Sequence, residues 1–138
     1  MQYSAGWIKA GDDRSDGWCV MAIEVVMTLA GGTPKAGLDS LITTDTGYGT
    51  VATWTVTEGS KGCLFEISIV TNNYNKTNWR LTIGGVVQFS DQTIPQPLTF
   101  SWPSGNEIES ETVILVEAAS TDGTEVTGWA SMTMKEFA

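Results

Sequence analysis

The chain has 138 residues, 41% of them hydrophobic, and its 16 acidic side chains against 7 basic ones give a formal net charge of -9. That length and apolar content suit one domain with its own core and exclude a disordered chain. The acidic field argues against nucleic acid as a partner, and the absence of histidine removes the Ser-His and Cys-His nucleophile pairs and most zinc chemistry.

The opening run MQYSAGWIKAGDD has no cationic segment followed by an apolar stretch. Neither a signal peptide nor a membrane span is read there, and folding in the cytosol is expected. Residues 1–17 read as an irregular N-terminal arm. Within it GDDRSDG (11–17) gathers three carboxylates beside two glycines. Such a loop can cage calcium, but the later bidentate Glu of an EF-hand loop is missing, and a solvated Asx-turn is the plainer account. No metal and no cofactor is expected.

Residues 18–30 alternate as a long strand, with Cys19, Met21, Ile23, Val25, Met27 and Leu29 on one face. The other face carries Trp18, Val20, Ala22, Glu24, Val26 and Thr28, so both are largely apolar. A turn or loop is read at 30–37, and 38–49 is either a short strand or a surface loop. Residues 51–57 alternate Ala52, Trp54 and Val56 against Val51, Thr53 and Thr55. After a turn at 58–62, residues 63–70 put Cys63, Phe65, Ile67 and Ile69 on one face. Cys19 and Cys63 lack the spacing of a metal knuckle or redox motif and read as two buried free thiols; a disulfide between them would need close Cα atoms.

The polar loop 71–78 contains Asn75-Lys76-Thr77, a match to the N-glycosylation acceptor pattern. Trp79, Leu81 and Ile83 then point inward with Arg80 and Thr82 outward, and Gly84-Gly85 signals a turn or bulge. Residues 86–90 follow, Pro95 and Pro97 break the pattern, and 98–102 group Leu98, Phe100 and Trp102. The stretch 103–110 reads as a loop. Glu107, Glu109 and Glu111 alternate and are expected to form a solvated rim.

The last segment, 113–137, has the form of a hairpin about Asp122-Gly123. Paired in that way, Val116 faces Trp129 and Val113 faces Met132. One face then carries Val113, Leu115, Ala119, Val126, Ala130, Met132 and Met134 and makes the core. The other carries Ile114, Val116, Ala118 and Trp129, an apolar patch with a hydroxyl border, which is the composition of a contact surface. The whole is expected to be all-β, a single antiparallel β-sandwich or jelly roll of about eight strands spanning 1–138.

The runs WRLTIGG, FSDQTIPQPLTFSW and VILVEAASTDGTEVTGWASMTMKEF resemble small β-sandwich virion proteins of bacteriophages and archaeal viruses, the decoration, head-fibre and minor capsid components. The resemblance covers roughly residues 79–137. It lies in general character, with short Thr/Gly-rich strands, a DG turn near the end, no histidine and an acidic balance. It implies symmetric multimers, trimers or lattice contacts, on a capsid surface.

Two functions compete. The first is a non-enzymatic virion structural protein that self-assembles or docks on capsid protein through Ile114, Val116 and Trp129 and through the back of the first strand, Trp18, Val20 and Val26. The second is a carbohydrate-binding module or adhesin domain, because six tryptophans are many for this length and exposed indoles can stack on sugars. Its platform would be Tyr48 and Trp54, with Trp129 a further candidate. No catalytic signature is present, and no membrane partner is expected.

Overall fold

The computed structural model describes residues 33–138. In chain order the strands are β1 (Thr33–Thr43), β2 (Gly49–Thr55), β3 (Lys61–Thr71), β4 (Thr77–Ile83), β5 (Val86–Gln92), β6 (Leu98–Ile108), β7 (Val113–Ser120) and β8 (Val126–Phe137), with a 3-10 turn at Tyr74–Lys76 before β4. They form two four-stranded sheets, ordered β1-β8-β3-β6 and β2-β7-β4-β5, and every pairing is antiparallel. The fold is therefore an all-β sandwich of eight strands.

Period-two alternation decides which side chains enter the space between the sheets. In β8 the buried set is Val126, Gly128, Ala130, Met132, Met134 and Glu136, and the residues between them face outward. In β4 it is Thr77, Trp79 and Leu81, and in β2 Ala52 and Trp54, with Val51 also buried where the pairing shifts between Thr50 and Ala52. Leu64, Ile67 and Ile69 of β3 complete the facing layer. Two indoles need room that only a missing Cβ provides. A Cβ built on Gly62 would lie 2.8 Å from Trp54 Cη2, and one on Gly128 would lie 3.0 Å from Trp79 Cη2.

Five expectations are corrected. The predicted loop at 30–37 holds the first part of β1, which runs on into 38–43, where a short strand is one of the two readings, and pairs along its whole length with β8. Pro34 and Gly37 speak for a loop in sequence, yet β1 is an edge strand among the described residues, and an edge tolerates both. For the same reason β6 continues through the predicted loop at 103–110 as far as Ile108, with Pro103 inside it. In β3 a bulge between Leu64 and Glu66 breaks the alternation. Leu64, Ile67 and Ile69 face the core, whereas Cys63 pairs with the outward-facing Lys135. Cys63 is fully buried and disulfide-bonded, so it is not a free thiol; the one other cysteine of the chain, Cys19, lies outside the described residues.

The fifth correction is the largest. Residues 113–137 are not a hairpin. β7 lies between β2 and β4 in one sheet and β8 between β1 and β3 in the other, so the Asp122-Gly123 turn is a corner joining the sheets. Side chains knit that corner. The Ser120 hydroxyl donates to Thr124 O at 2.6 Å and accepts from Gly123 N, Asp122 accepts from Thr124 N, and Lys76 pairs with Asp122 at 2.6 Å. Both β7 and β8 find two neighbours in their own sheet, which satisfies both sides of the backbone.

Candidate functional site

The corner changes what the expected contact surface is. Ile114 and Val116 are 0% and 1% exposed and stand between the sheets, opposite to the expected facing. The core assignment for β8 holds, but that for β7 is inverted: Val113 is exposed and Leu115 half-buried on the outer face. Trp129 does not meet Val116. It is half-buried on the outer face of the first sheet, in register with Ser40 of β1 and Val70 of β3. Trp18, Val20, Val26, the 1–17 arm and its GDDRSDG loop lie outside the described residues.

Trp54 points inward. Its Nε1 donates to Glu136 Oε2 at 2.8 Å, and the backbone N–H of Thr57 reaches Glu136 Oε1 at 3.4 Å. Burial pushes the Glu136 carboxyl up, but the Thr57 and Trp54 donors, with the charge of Lys35, outweigh it and hold the group below the usual glutamate value. A carboxylate fixed in its ionised form anchors structure and is poorly matched to proton transfer near neutral pH. A cleft of about 290 Å³ opens beside it between β1 and β2, with Lys35 and Asp39 at its mouth and Trp54, Met132 and Met134 at its floor.

Tyr48 is brought to a different place, the outer face of the second sheet. Its hydroxyl donates to Asp91 Oδ1 at 2.7 Å and accepts from Asp91 N at 2.7 Å. The guanidinium of Arg80 lies 4.2 Å from the ring centroid, and Arg80 Nε donates to Glu117 Oε1 at 2.7 Å. Burial first, and then the bond to Asp91, raise the Tyr48 phenol above its ordinary value. Asp91 holds a left-handed φ of 56°, uncommon for a residue with a Cβ. The set latches the β1–β2 connection onto β5. It covers one face of the Tyr48 ring, so Tyr48 and Trp54 do not make a shared stacking platform.

The predicted acidic rim divides. Glu109 and Glu111 are exposed in the β6–β7 turn, while the Glu107 side chain is 7% exposed and lies 3.9 Å from Lys61 Nζ. Asn75 is exposed at the 3-10 turn, and the Thr77 hydroxyl of the same triplet is buried, donating to Asn73 O and bonded to Thr71 Oγ1. Among the described residues no group of three or more Cys, Asp or Glu side chains is placed to hold a metal ion, and no helix is long and apolar enough to cross a membrane.

Exposed apolar surface is concentrated on edge strands instead. Leu38 (69%) and Ile42 (65%) stand on the outer face of β1, and Val86 (63%), Val87 (52%) and Leu98 lie on β5 and β6. Val113, at the start of the central β7, is the exception. A second cleft, of about 350 Å³, opens between β5 and β6 and is lined by Phe89, Gln92, Thr93, Ile94, Leu98 and Phe100. Phe89 and Phe100 stack within it at 5.2 Å between centroids. Sequence reasoning passed over these residues, although Leu38, Ser40 and Ile42 alternate on one strand face and so carried the signal.

No protein-family model matches the chain, and no curated protein matches it. Among solved structures it is similar to one titled "Crystal structure of dimeric latent PorU from Porphyromonas gingivalis", at 10% identity and a TM-score of 0.39. The likeness covers 76% of this chain and only 13% of that one.

Proposed function

We propose that the chain is a non-enzymatic structural module that assembles through the edges of its sandwich, as a small virion protein does when it builds or decorates a capsid. The observation that carries the reading is that, among the described residues, the exposed large apolar side chains are concentrated on β1, β5 and β6, edge strands of the two described sheets. Monomeric proteins usually blunt such edges, and apolar ones are templates for association. The disulfide at Cys63 fits a surface exposed to oxidising surroundings, a virion surface among them. The acidic balance fits a partner other than nucleic acid. Sugar stacking is less supported, since Trp54 is turned inward and Tyr48 lies under Arg80, which leaves of its three candidates only the half-buried Trp129.

The test is light scattering coupled to size exclusion, with the wild-type chain at micromolar concentration. The expected result is a multimer, reduced to monomer by Leu38→Ser with Ile42→Ser. A strictly monomeric wild type over the whole concentration range sinks the proposal.

A further inference from the structure

Resting on that reading, we infer that the contact is heterologous: the aliphatic ridge on β1 of one copy seats in the cleft between β5 and β6 of the next. β1 and β6 are the two edges of one sheet, and β2 and β5 the two edges of the other. The sandwich therefore has two opposite sides, one bounded by β1 and β2 and one by β5 and β6. Leu38 and Ile42 lie on the first side and Val86, Val87 and Leu98 on the second. The ridge is two exposed aliphatic side chains that stand out from the outer face of β1 four residues apart, roughly 13 Å along a strand. The other side is concave, about 350 Å³, with aromatic walls. A knob and a hole on different parts of one surface define a head-to-tail contact, which closes into a ring or grows as a filament.

Charge favours the same pairing. Copies carrying -9 each repel, so they approach best where neither surface is ionised. The cleft lining holds no ionisable side chain, and the ridge is Leu38, Ser40 and Ile42. Extending the sheet by pairing β1 with β6 is disfavoured, because Lys35 and Asp39 on the inward side of β1 would be carried toward Leu98 and Phe100, and Pro103 within β6 has no N–H to offer a new ladder.

The experiment uses two full-length variants, Leu38→Glu with Ile42→Glu, and Leu98→Glu, all at exposed positions, with thermal melts confirming that both fold. Sedimentation velocity reads the masses. Each variant alone is expected to be monomeric, with association weakened at least ~100-fold from wild type. Their equimolar mixture is expected to give a one-to-one complex of twice the monomer mass and nothing larger, because each copy keeps one working half. If wild type assembles and Leu98→Glu assembles equally well, the cleft is not used and the inference falls while the assembly reading stands. A mixture that stays monomeric also overturns it. A monomeric wild type removes both.

Discussion

At the scale of single residues, the sandwich is fitted around two indoles, and the fit is tight enough to test. A methyl group on Gly62 would meet Trp54 Cη2 at 2.8 Å and Val56 Cγ2 at 2.9 Å. Both neighbours are buried, so neither has space into which to retreat. Gly62→Ala is expected to lower stability by about 1–3 kcal/mol, the usual cost of overpacking a core. Gly128→Ala, whose Cβ would stand 3.0 Å from Trp79 Cη2, is expected to cost less. Urea midpoints at unchanged slope check both. Glu136 gives a second test. Its folded value lies below the usual glutamate value, so its contribution is present above the unfolded pKa and is lost as pH falls through the folded one. Glu136→Gln is expected to be less stable at neutral pH and to show a shallower loss of stability on acidification. Trp54→Phe removes the same bond from the donor side and is expected to cost about 1.5–3 kcal/mol, the range for hydrogen bonds to a charged group. Denaturant titrations from neutral to acid pH measure these effects; a Gln variant with the wild-type acid profile would show that the carboxylate is not an anchor.

At the scale of elements, the weakest joint should be the β5 edge, which is paired on one side only and irregularly so, with shifts between Trp79 and Leu81 and between Leu81 and Thr82. Tyr48 reinforces it through both atoms of Asp91. Tyr48→Phe is expected to speed amide exchange along β5 while leaving the central β7 unchanged, which hydrogen exchange read strand by strand would show. The raised phenol value gives a matching pH effect. The stabilisation holds below the ordinary tyrosine pKa and is lost as pH rises through the folded value. The central strands β4 and β8 were legible in sequence, because two neighbours and one buried face enforce alternation. β2 is an edge among the described strands, yet it was legible too, since Trp54 is buried between Thr53 and Thr55, although Val51, read as facing outward with them, is buried at the irregularity between Thr50 and Ala52. The edge strands β1 and β6 were legible only in part, at 38–43 as one of two readings and at 98–102, because an edge accommodates Pro34, Gly37 and Pro103, which read as loop. β7 was legible as a strand but not as to facing. A turn that looks like a hairpin does not say whether its arms share a sheet. Glu117 held the answer: it has the parity of Val113 and Leu115, and it lies on the outer face, bonded to Arg80. Placing that carboxylate outward would have turned Ile114 and Val116 into the core.

At the scale of the whole molecule, the proposed contact sets apolar attraction against like-charge repulsion, and salt separates the two. Repulsion between copies of charge -9 is long-ranged at low ionic strength, where the Debye length is ~30 Å at 0.01 M, and is largely screened at 1 M, where it is ~3 Å. Burial of Leu38 and Ile42 in a cleft without ionisable groups gains nothing from low salt. Association should therefore strengthen as salt rises through that range, steeply at first and then levelling. An interface built on ion pairs would do the opposite, because screening removes its attraction. Light scattering at one fixed protein concentration, with sodium chloride varied across the range, reads the sign directly. A mean mass that falls with added salt would mean that acidic groups of one copy meet basic groups of another, and the apolar ridge would then not be the contact.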